Sequence, residues 1–474
     1  MLRRLFSHSL VYGVFTQIPG LAAFIMLPVI TPHLTANDFA VYGIVNAYLM
    51  ALTALKDLGL GVVFNNTFYQ HPHRWKYLWR VLYGVLSLWS ICYVALLLIV
   101  LKIALPTQES GNFWIIAGLL TISILFFDNA NLLGSYYFRF KEKPVLIGVG
   151  TTIATVFSIS ALYTSIVVFN LGYLGWFIAN FVTGLCLFCY YSYTLFLKLR
   201  LLPIFSWRKK LVTTSLRISL PMIPHNYSAY LLSSSDRVIL DRFKVPLPQI
   251  ALYNVAYMFG NYFDALGNSV GMAVGPFYSK LFTSKNEKSV DDARHLTFLL
   301  MILSVGGTFV VALWLREIFS VFIRNDELKS AYAIGIIIIM GYAYRPMYWN
   351  AGIKLSIQGS TSLLWRISFT AGVLNVLLNL IFVPMYGIYA AAINTFISLI
   401  YLGFAGYFFA AFRRGSDLKY HLAKWITAIV LLTTVAYLLR DANILAKVIV
   451  TLLTVTAVGA YFKFNYDRIA AIEL

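Results

Sequence analysis

Long apolar runs recur along the whole chain, and they constrain its fold more than any other feature of the sequence. A helix needs about 20 consecutive apolar residues to cross the hydrocarbon core of a bilayer. Fourteen segments approach this length: residues 10–30, 40–63, 79–103, 113–133, 145–169, 172–196, 213–240, 250–278, 296–323, 331–356, 363–384, 386–411, 421–439 and 443–462. These runs predict an all-α polytopic membrane protein with about 14 transmembrane helices.

Prolines lie within several of these runs. Because proline removes a helical hydrogen bond and clashes with the preceding turn, each is expected to kink or break its helix. The residues concerned are Pro19, Pro28, Pro221, Pro224 and Pro346. Broken helices commonly line the cavities of transporters.

The composition excludes a soluble globular protein, in which about 25% of the residues are charged. Here 60% are hydrophobic and 12% are charged. The net charge of +19 does not indicate a nucleic-acid partner, because the basic residues lie between apolar runs rather than on one soluble face. Cys92, Cys186 and Cys189 lie inside apolar runs, so we interpret them as small buried hydrophobic residues and expect no metal or redox site.

The basic residues also indicate how the chain is oriented. Cytoplasmic connections of membrane proteins are enriched in lysine and arginine. If the N-terminus is inside, 26 basic residues lie on inner connections and span ends, against 7 on the outer side. An even number of spans places both termini on the same side, so both are expected to be cytoplasmic.

Two pairs of similar segments predict an internal repeat of six spans. Ala40-Val-Tyr-Gly-Ile-Val-Asn-Ala-Tyr48 resembles Ala251-Leu-Tyr-Asn-Val-Ala-Tyr257 at an offset of 211 residues, and Gly172-Tyr-Leu-Gly175 resembles Gly387-Ile-Tyr-Ala390 at an offset of 215. Repeats of six spans share one orientation, so we expect pseudo-symmetry about the membrane normal and a central cavity between the halves. The predicted organisation is a first six-helix half at residues 1–197, a basic cytoplasmic linker at residues 198–212 and a second six-helix half at residues 213–412. Two accessory helices and a cytoplasmic tail follow at residues 413–474.

The connections argue against an enzyme. The largest predicted outer connection, from Arg316 to Ser330, is about fifteen residues long. A membrane polymerase or ligase would be expected to carry its chemistry on a large outer loop, and no loop carries paired carboxylates or a metal-binding pattern. We therefore expect a transporter without a cofactor.

Three groups of motifs resemble the polysaccharide and oligosaccharide (O-antigen-type) flippases of the MOP (MATE-like) exporter superfamily. They cover about residues 1–412: Ile30-Thr-Pro-His-Leu-Thr-Ala-Asn-Asp-Phe-Ala-Val-Tyr42 with Asp57-Leu-Gly-Leu60, Ser219-Leu-Pro-Met-Ile-Pro224 with Ser235-Asp-Arg-Val-Ile-Leu240, and Asn375-Val-Leu-Leu-Asn379 with Val383-Pro-Met-Tyr-Gly-Ile-Tyr-Ala-Ala-Ala392. Ala390 departs from the pattern, since a glycine is common there. The last two spans carry no such motif.

The resemblance implies a function for the whole chain. Such a flippase moves undecaprenyl-diphosphate-linked repeat units from the inner to the outer leaflet of the bacterial cytoplasmic membrane by alternating access. These units serve O-antigen (lipopolysaccharide), capsule or exopolysaccharide assembly. The implied partners are the lipid-linked oligosaccharide, membrane lipids and other membrane proteins of polysaccharide assembly. A cation-coupled MATE-type multidrug exporter and a flippase for a lipid-linked peptidoglycan precursor remain alternatives.

Cations within the predicted spans are candidate ligands for the diphosphate. Charged groups at membrane depth are costly and usually face a cavity, and arginine can bind phosphate with two parallel hydrogen bonds. The candidates are Lys56, Arg237 and Arg345, with Arg217 and Lys354 at the inner ends of their spans. Arg237 also adjoins Asp236, and we expect this pair to act as a latch near the outer gate.

Aromatic and amide side chains near these cations could bind the sugars. The candidates are Tyr227, Tyr257, Tyr344, Trp349 and Asn261. If transport is coupled to an ion gradient, intramembrane carboxylates are the expected carriers, because a buried carboxylate can exchange protons. These are Asp57, Asp128 and Asp264, and the sequence does not distinguish proton from sodium coupling.

Overall fold

The chain divides into two compact units, Met1–Tyr230 and Leu231–Leu474. The computed structural model describes residues 17–206, 208–284, 287–414 and 418–465, and these form helices and connections without a β-strand. The start of the first predicted span and both chain ends, whose cytoplasmic location was predicted, lie outside the described residues. The predicted linker, residues 198–212, lies within the first unit.

The first unit consists of helices joined by short connections. These are α1 (Gln17–His33), α2 (Ala36–Lys56), α3 (Gly61–Gln70), α4 (Trp75–Ala104), α5 (Thr107–Phe140), α6 (Pro144–Val168), α7 (Leu174–Lys198), α8 (Lys209–Ser219) and α9 (Met222–Ser233), the last of which crosses the boundary between the units. At the start of α2, the Thr35 hydroxyl accepts from the Asp38 N–H at 3.2 Å, and the Asp38 carboxylate accepts from the Thr35 N–H at 2.8 Å. This reciprocal cap provides acceptors for two N–H groups that have no hydrogen-bond partner within the helix.

The linker is held against α4 by its backbone. The Ile204 N–H donates to the Arg80 carbonyl at 2.9 Å, and Arg80 Nε donates to the Leu202 carbonyl at 2.9 Å. The linker backbone passes so close to Gly84 that a Cβ there would overlap Ile204. The segment between α7 and α8 is therefore packed rather than free.

The second unit contains eleven helices among its described residues. These are α10 (Ser235–Arg242), α11 (Leu247–Thr283), α12 (Glu287–Leu313), α13 (Leu315–Phe322), α14 (Asp326–Lys329), α15 (Tyr332–Gly341), α16 (Arg345–Ile357), α17 (Thr361–Phe404), α18 (Ala410–Arg413), α19 (Leu422–Leu438) and α20 (Ile444–Phe464). A 3-10 turn, Tyr342–Tyr344, joins α15 to α16.

Helix α17 reverses direction at Gly387. A straight helix rising 1.5 Å per residue would separate Asn379 from Asn394 by about 22 Å. Instead, Asn394 Nδ2 donates to Asn379 Oδ1 at 2.9 Å. Gly387 has φ 58° and ψ −134°, a conformation that glycine adopts readily because it has no Cβ. The two antiparallel arms correspond to the predicted spans 363–384 and 386–411, but the second arm ends earlier than predicted, at Phe404.

Eight helices are long and apolar enough to cross a membrane in the part of the chain that the structure describes. The protein is therefore a multi-pass membrane protein, as predicted. The number 14 stays a prediction, because several predicted spans consist of shorter helices that meet at breaks such as Ser234 and Trp314. Cys92 and Cys189 are exposed on their helices, so their interpretation as buried residues is wrong. Their side chains lie on faces that the protein does not cover.

A buried ion pair connects the last helix to the rest of the second unit. Lys447 on α20 is fully buried, and its Nζ donates to the Glu317 carboxylate at 2.7 and 2.9 Å and to the Arg440 carbonyl at 2.8 Å. One turn along, Trp314 Nε1 donates to the Thr451 hydroxyl at 2.9 Å. In the loop before α20, a hydrogen bond from the Tyr332 hydroxyl lowers the pKa of Asp441.

Replacing Lys447 with alanine is expected to lower the free energy of unfolding by about 3 kcal/mol, because Glu317 loses the cation that compensates its partial burial. The value is at the low end for buried pairs, since the Glu317 side chain is 30% exposed. Thermal unfolding of the purified protein in detergent measures the effect. Lys424→Ala, at an exposed position on α19, is the matched control. Unchanged unfolding of Lys447→Ala would show that the pair does not hold α20 in place.

Candidate functional site

A polar cleft in the first unit brings together several of the predicted residues. It has a volume of about 580 Å³, and its walls come from α2, α5, α7 and α9. Lys56, Asp57 and Asp128 line it. The other polar lining residues are Thr53, Asn129, Asn131, Asn180, Thr183 and Asn226.

The centre of this cleft is an ion pair between two of the predicted residues. Lys56 Nζ lies 2.5 Å from Asp128 Oδ2, and the two side chains are 40% and 20% exposed. Lys56 is the last residue of α2, and Asp128 ends a π-helical segment of α5, Ser123–Asp128. Such π-helical insertions occur frequently at functional sites, because the extra residue per turn changes the face on which the following side chains lie.

Asp57, the third predicted residue in the cleft, stabilises the turn between α2 and α3. Its Oδ1 accepts from the Gly59 N–H at 3.1 Å. Leu58 and Gly59 both have positive φ there, at 51° and 68°. The turn thus ends α2 at Lys56 and fixes its position opposite Asp128.

Four asparagines make up most of the remaining polar lining, and none of them was predicted as a site residue from the sequence. They are Asn129, Asn131, Asn180 and Asn226. Asn129 donates to the Ser90 hydroxyl at 2.9 Å, and Asn131 donates to the Gly184 carbonyl at 2.9 Å. The Oδ1 atom of Asn131 is buried and has no hydrogen-bond partner among the described residues. The signal that could have found this site is Asp128-Asn-Ala-Asn131, a polar group at the end of an otherwise apolar run.

In the second unit, Arg345 occupies the break between α15 and α16. The 3-10 turn ends at Tyr344, and Pro346 lies in the first turn of α16, where its missing N–H needs no partner. Arg345 is only 7% exposed. Its guanidinium forms an ion pair with Asp264 and donates from Nη1 to the side-chain oxygen Oδ1 of Asn268 at 3.0 Å. Its Nε has no hydrogen-bond partner among the described residues.

A glycine on α11 makes room for this guanidinium. A Cβ on Gly267 would overlap the Arg345 side chain from Cδ to Cζ. The guanidinium also lies 5.4 Å from the centroid of the Tyr342 ring, an arrangement that favours a cation. The structure therefore pairs the predicted cavity cation Arg345 with the predicted ion carrier Asp264.

Asp236 and Arg237, the predicted latch, have separate partners. Asp236 is fully buried and accepts four hydrogen bonds: from Tyr253 at 2.5 Å, Asn379 at 2.7 Å, Asn375 at 2.9 Å and Thr395 at 2.9 Å. These donors lie on α11 and on both arms of α17.

Arg237 is 6% exposed and contacts a different group of residues. It donates to the Asn254 side chain at 2.9 Å and to the Ser233 carbonyl at 3.0 Å, and it lies 4.3 Å from the centroid of the Tyr257 ring. No ion pair joins Asp236 to Arg237 within the described part of the chain.

The other predicted residues are dispersed. Arg217 is exposed on α8, and Asn261 is exposed on α11. Lys354 is buried, with its ammonium 4.4 Å from the centroid of the Phe412 ring. Tyr227 packs beside Tyr230, Tyr344 is buried against Gly403, and Trp349 lines an apolar cavity next to Arg345. Apart from Trp349, these residues lie outside both cavities.

Comparisons with known proteins agree with this architecture. Residues 221–381 match the MatE family model. A structure of the lipid II flippase MurJ, in an inward closed conformation, superposes with a TM-score of 0.59 at 13% identity, covering 91% of this chain and 98% of that one. An inward-facing multidrug resistance MATE family transporter of the MOP superfamily superposes with a TM-score of 0.58 at 13% identity, covering 93% and 96%. The chain has the MOP-superfamily fold.

An outward-facing multidrug resistance MATE family transporter shares this MOP fold, with a TM-score of 0.56, 14% identity, and coverage of 93% of this chain and 96% of that one. No curated protein matches the sequence. The MatE match contains Asp236, Arg237, Asp264 and Arg345, whereas the polar cleft of the first unit lies mostly outside it. Since flippases and multidrug transporters both have the MOP fold, the choice between them depends on the chemistry of the sites.

Proposed function

We propose that this protein is a flippase that moves undecaprenyl-diphosphate-linked oligosaccharide repeat units to the outer leaflet of the bacterial cytoplasmic membrane by alternating access. The observation that carries the proposal is the polar cleft of the first unit. Its four asparagines and two threonines offer both donors and acceptors to sugar hydroxyls. An apolar drug that displaced water from the cleft would leave these groups without hydrogen bonds, which is costly.

The charged groups of the Arg345 site support a substrate with an anionic head. Asp128 and Asp264 are each paired with a cation, Lys56 and Arg345, so neither carboxylate is left uncompensated. In this proposal Arg345 binds the diphosphate, because its guanidinium has donors beyond those used by Asp264 and Asn268.

A cation-coupled multidrug exporter is a second candidate, and one observation favours it. The cleft contains the carboxylates of Asp57 and Asp128 but only one ammonium, that of Lys56. Its formal charge is therefore −1, which suits a cationic ligand or a coupling ion. The peptidoglycan precursor flippase is a third candidate, supported by the similarity to the lipid II flippase MurJ.

Deleting the gene and following surface glycan together with lipid-linked intermediates in each leaflet distinguishes these functions. We expect loss of surface glycan, with repeat units trapped in the cytoplasmic leaflet. Normal glycan with increased drug sensitivity would instead establish the exporter. Normal glycan with trapped peptidoglycan precursors would establish the third candidate.

The cleft makes a specific prediction at Asn131. Replacing Asn131 with leucine removes a polar amide from the wall of the cleft and is expected to reduce export about two- to tenfold, the value of one hydrogen bond of about 0.5–1.5 kcal/mol. Export is measured as surface glycan per copy of protein in complemented deletion cells. Asn46→Leu, on α2 outside the cleft, is the matched control. Equal export by the two variants would exclude Asn131 as a sugar ligand.

A further inference from the structure

An apolar groove in the second unit lies beside Arg345. Its volume is about 380 Å³, within the range of about 300–1,000 Å³ that is usual for small-molecule sites. Side chains of α11, α12 and α16 form its walls, among them Leu266, Val270, Leu300, Leu303, Val311 and Trp349. The groove is therefore separate from the polar cleft and has the opposite chemistry.

Arg345 is the one charged side chain among the described residues that line this groove. It is more than nine-tenths buried, and its Nε has no hydrogen-bond partner within the described part of the chain. Removing a charged group from water is costly unless partners compensate it. Each Nη nitrogen carries a second N–H beyond the one that bonds to Asn268 or Asp264, so the guanidinium at the wall of this apolar groove can bind a ligand with an anionic head and an apolar chain.

We propose that this groove binds the first isoprene units of a polyprenyl diphosphate while the diphosphate oxygens accept hydrogen bonds from Arg345. The inference rests on the proposed function and assigns the lipid part of that substrate to a place in the structure. The apolar walls remove the chain from water or from disordered lipid, and the guanidinium fixes the position of the head.

The charge of Arg345 favours a diphosphate over an ordinary phospholipid head. Asp264 already neutralises one positive charge, so a phosphodiester with a single negative charge gains little attraction. A diphosphate carries more charge and more acceptor oxygens, and arginine binds such oxygens through two parallel hydrogen bonds. One cation beside one groove also matches a ligand with a single chain.

Photolabelling tests the proposal on the full-length protein, reconstituted in vesicles of phosphatidylcholine. The probe is geranylgeranyl diphosphate with a diazirine on its second isoprene unit, and mass spectrometry of the labelled peptides locates the site. We expect the label on α11 and α12, and displacement by unlabelled undecaprenyl diphosphate. Phosphatidylglycerol and geranylgeraniol should displace the probe at least about tenfold less well. Equal displacement by phosphatidylglycerol would overturn the assignment by showing a general lipid site.

Gly307 allows the groove to be filled without disturbing the fold. It lines the groove, and a Cβ built on it meets no atom within 4 Å. Gly307→Leu should therefore reduce labelling about tenfold. Gly459→Leu, at an equally open glycine on α20, should label like the wild type. Undiminished labelling of folded Gly307→Leu would overturn the proposal.

Arg345→Gln tests the binding of the diphosphate head independently of the binding of the isoprene chain. Without the guanidinium, the preference for the diphosphate probe over a diazirine-bearing geranylgeraniol should disappear, while the labelled peptides stay the same. If the variant still preferred the diphosphate probe, another residue would bind the head, and this result would overturn the proposal.

Failure of this inference can be distinguished from failure of the proposed function. Labelling outside the groove in a protein whose deletion traps repeat units would refute the groove alone. Labelling in the groove without any effect of the deletion on glycan or on its intermediates would refute the proposed function and retain the groove as a prenyl diphosphate site.

Discussion

Replacing Arg345 with alanine is expected to abolish export while the protein remains in the membrane at its normal abundance. The substitution removes the guanidinium and leaves the Asp264 carboxylate, so the site changes from neutral to negative and repels a diphosphate. Truncating one partner of a hydrogen-bonded charge pair across a binding interface, here the guanidinium and the diphosphate, costs about 2–5 kcal/mol, which corresponds to an affinity loss of about 30-fold or more. Surface glycan in complemented deletion cells, normalised to immunoblot intensity, measures the effect.

A second variant tests the position of Arg345 without removing it. Gly267→Ala adds a methyl group where the guanidinium lies, so Arg345 has to move away from Asp264 and Asn268. Export should therefore fall, while thermal unfolding shows that the protein remains folded. Gly275→Ala, two turns further along α11 and in open space, should export like the wild type. Normal export by a well-expressed Arg345→Ala variant would exclude Arg345 as a substrate ligand.

Replacing Asp236 with asparagine is expected to produce the largest loss of stability, about 2–6 kcal/mol. The carboxylate accepts four hydrogen bonds, whereas an asparagine oxygen has two lone pairs and its amide nitrogen only donates. At least two donors would then lose their acceptor, and each buried polar group left unsatisfied costs about 1–3 kcal/mol. The melting temperature in detergent measures the loss.

Single donors of the same cluster provide graded comparisons. Tyr253→Phe and Thr395→Val each remove one hydrogen bond to the carboxylate, which is worth about 1.5–3 kcal/mol when one partner is charged. Each should therefore destabilise the protein less than Asp236→Asn does. Asp326→Asn, at a side chain that is 91% exposed, should leave the melting temperature unchanged. A wild-type melting temperature for Asp236→Asn would show that the four hydrogen bonds do not stabilise the second unit.

The helical architecture could be predicted because a helix that crosses a bilayer needs an apolar run as long as the hydrocarbon core is thick. The breaks were less predictable. Pro346 marks a break, as expected, and Pro221 lies between α8 and α9, but α1 continues through Pro19 and Pro28. A proline near the start of a helix, or one whose lost hydrogen bond neighbours replace, leaves the helix continuous.

Individual charged residues of the sites could be predicted, but their partners could not. A charge within an apolar run indicates that something compensates it, which identified Lys56, Asp128, Asp264 and Arg345. The partners are 72 and 81 residues apart in sequence, so only the packing of the helices brings them together. The same limit applies to Lys447, whose partner Glu317 lies 130 residues earlier in the sequence.

The reversal at Gly387 also has a consequence for the biogenesis of the protein. No charged residue occurs between Arg366 and Arg413, so the tip of this hairpin lacks the signals that usually fix the direction of each span during insertion. Asn379 and Asn394, which bond to each other across the hairpin, would be costly to expose singly to lipid. The two arms are therefore expected to leave the translocon together, as one preassembled insertion unit.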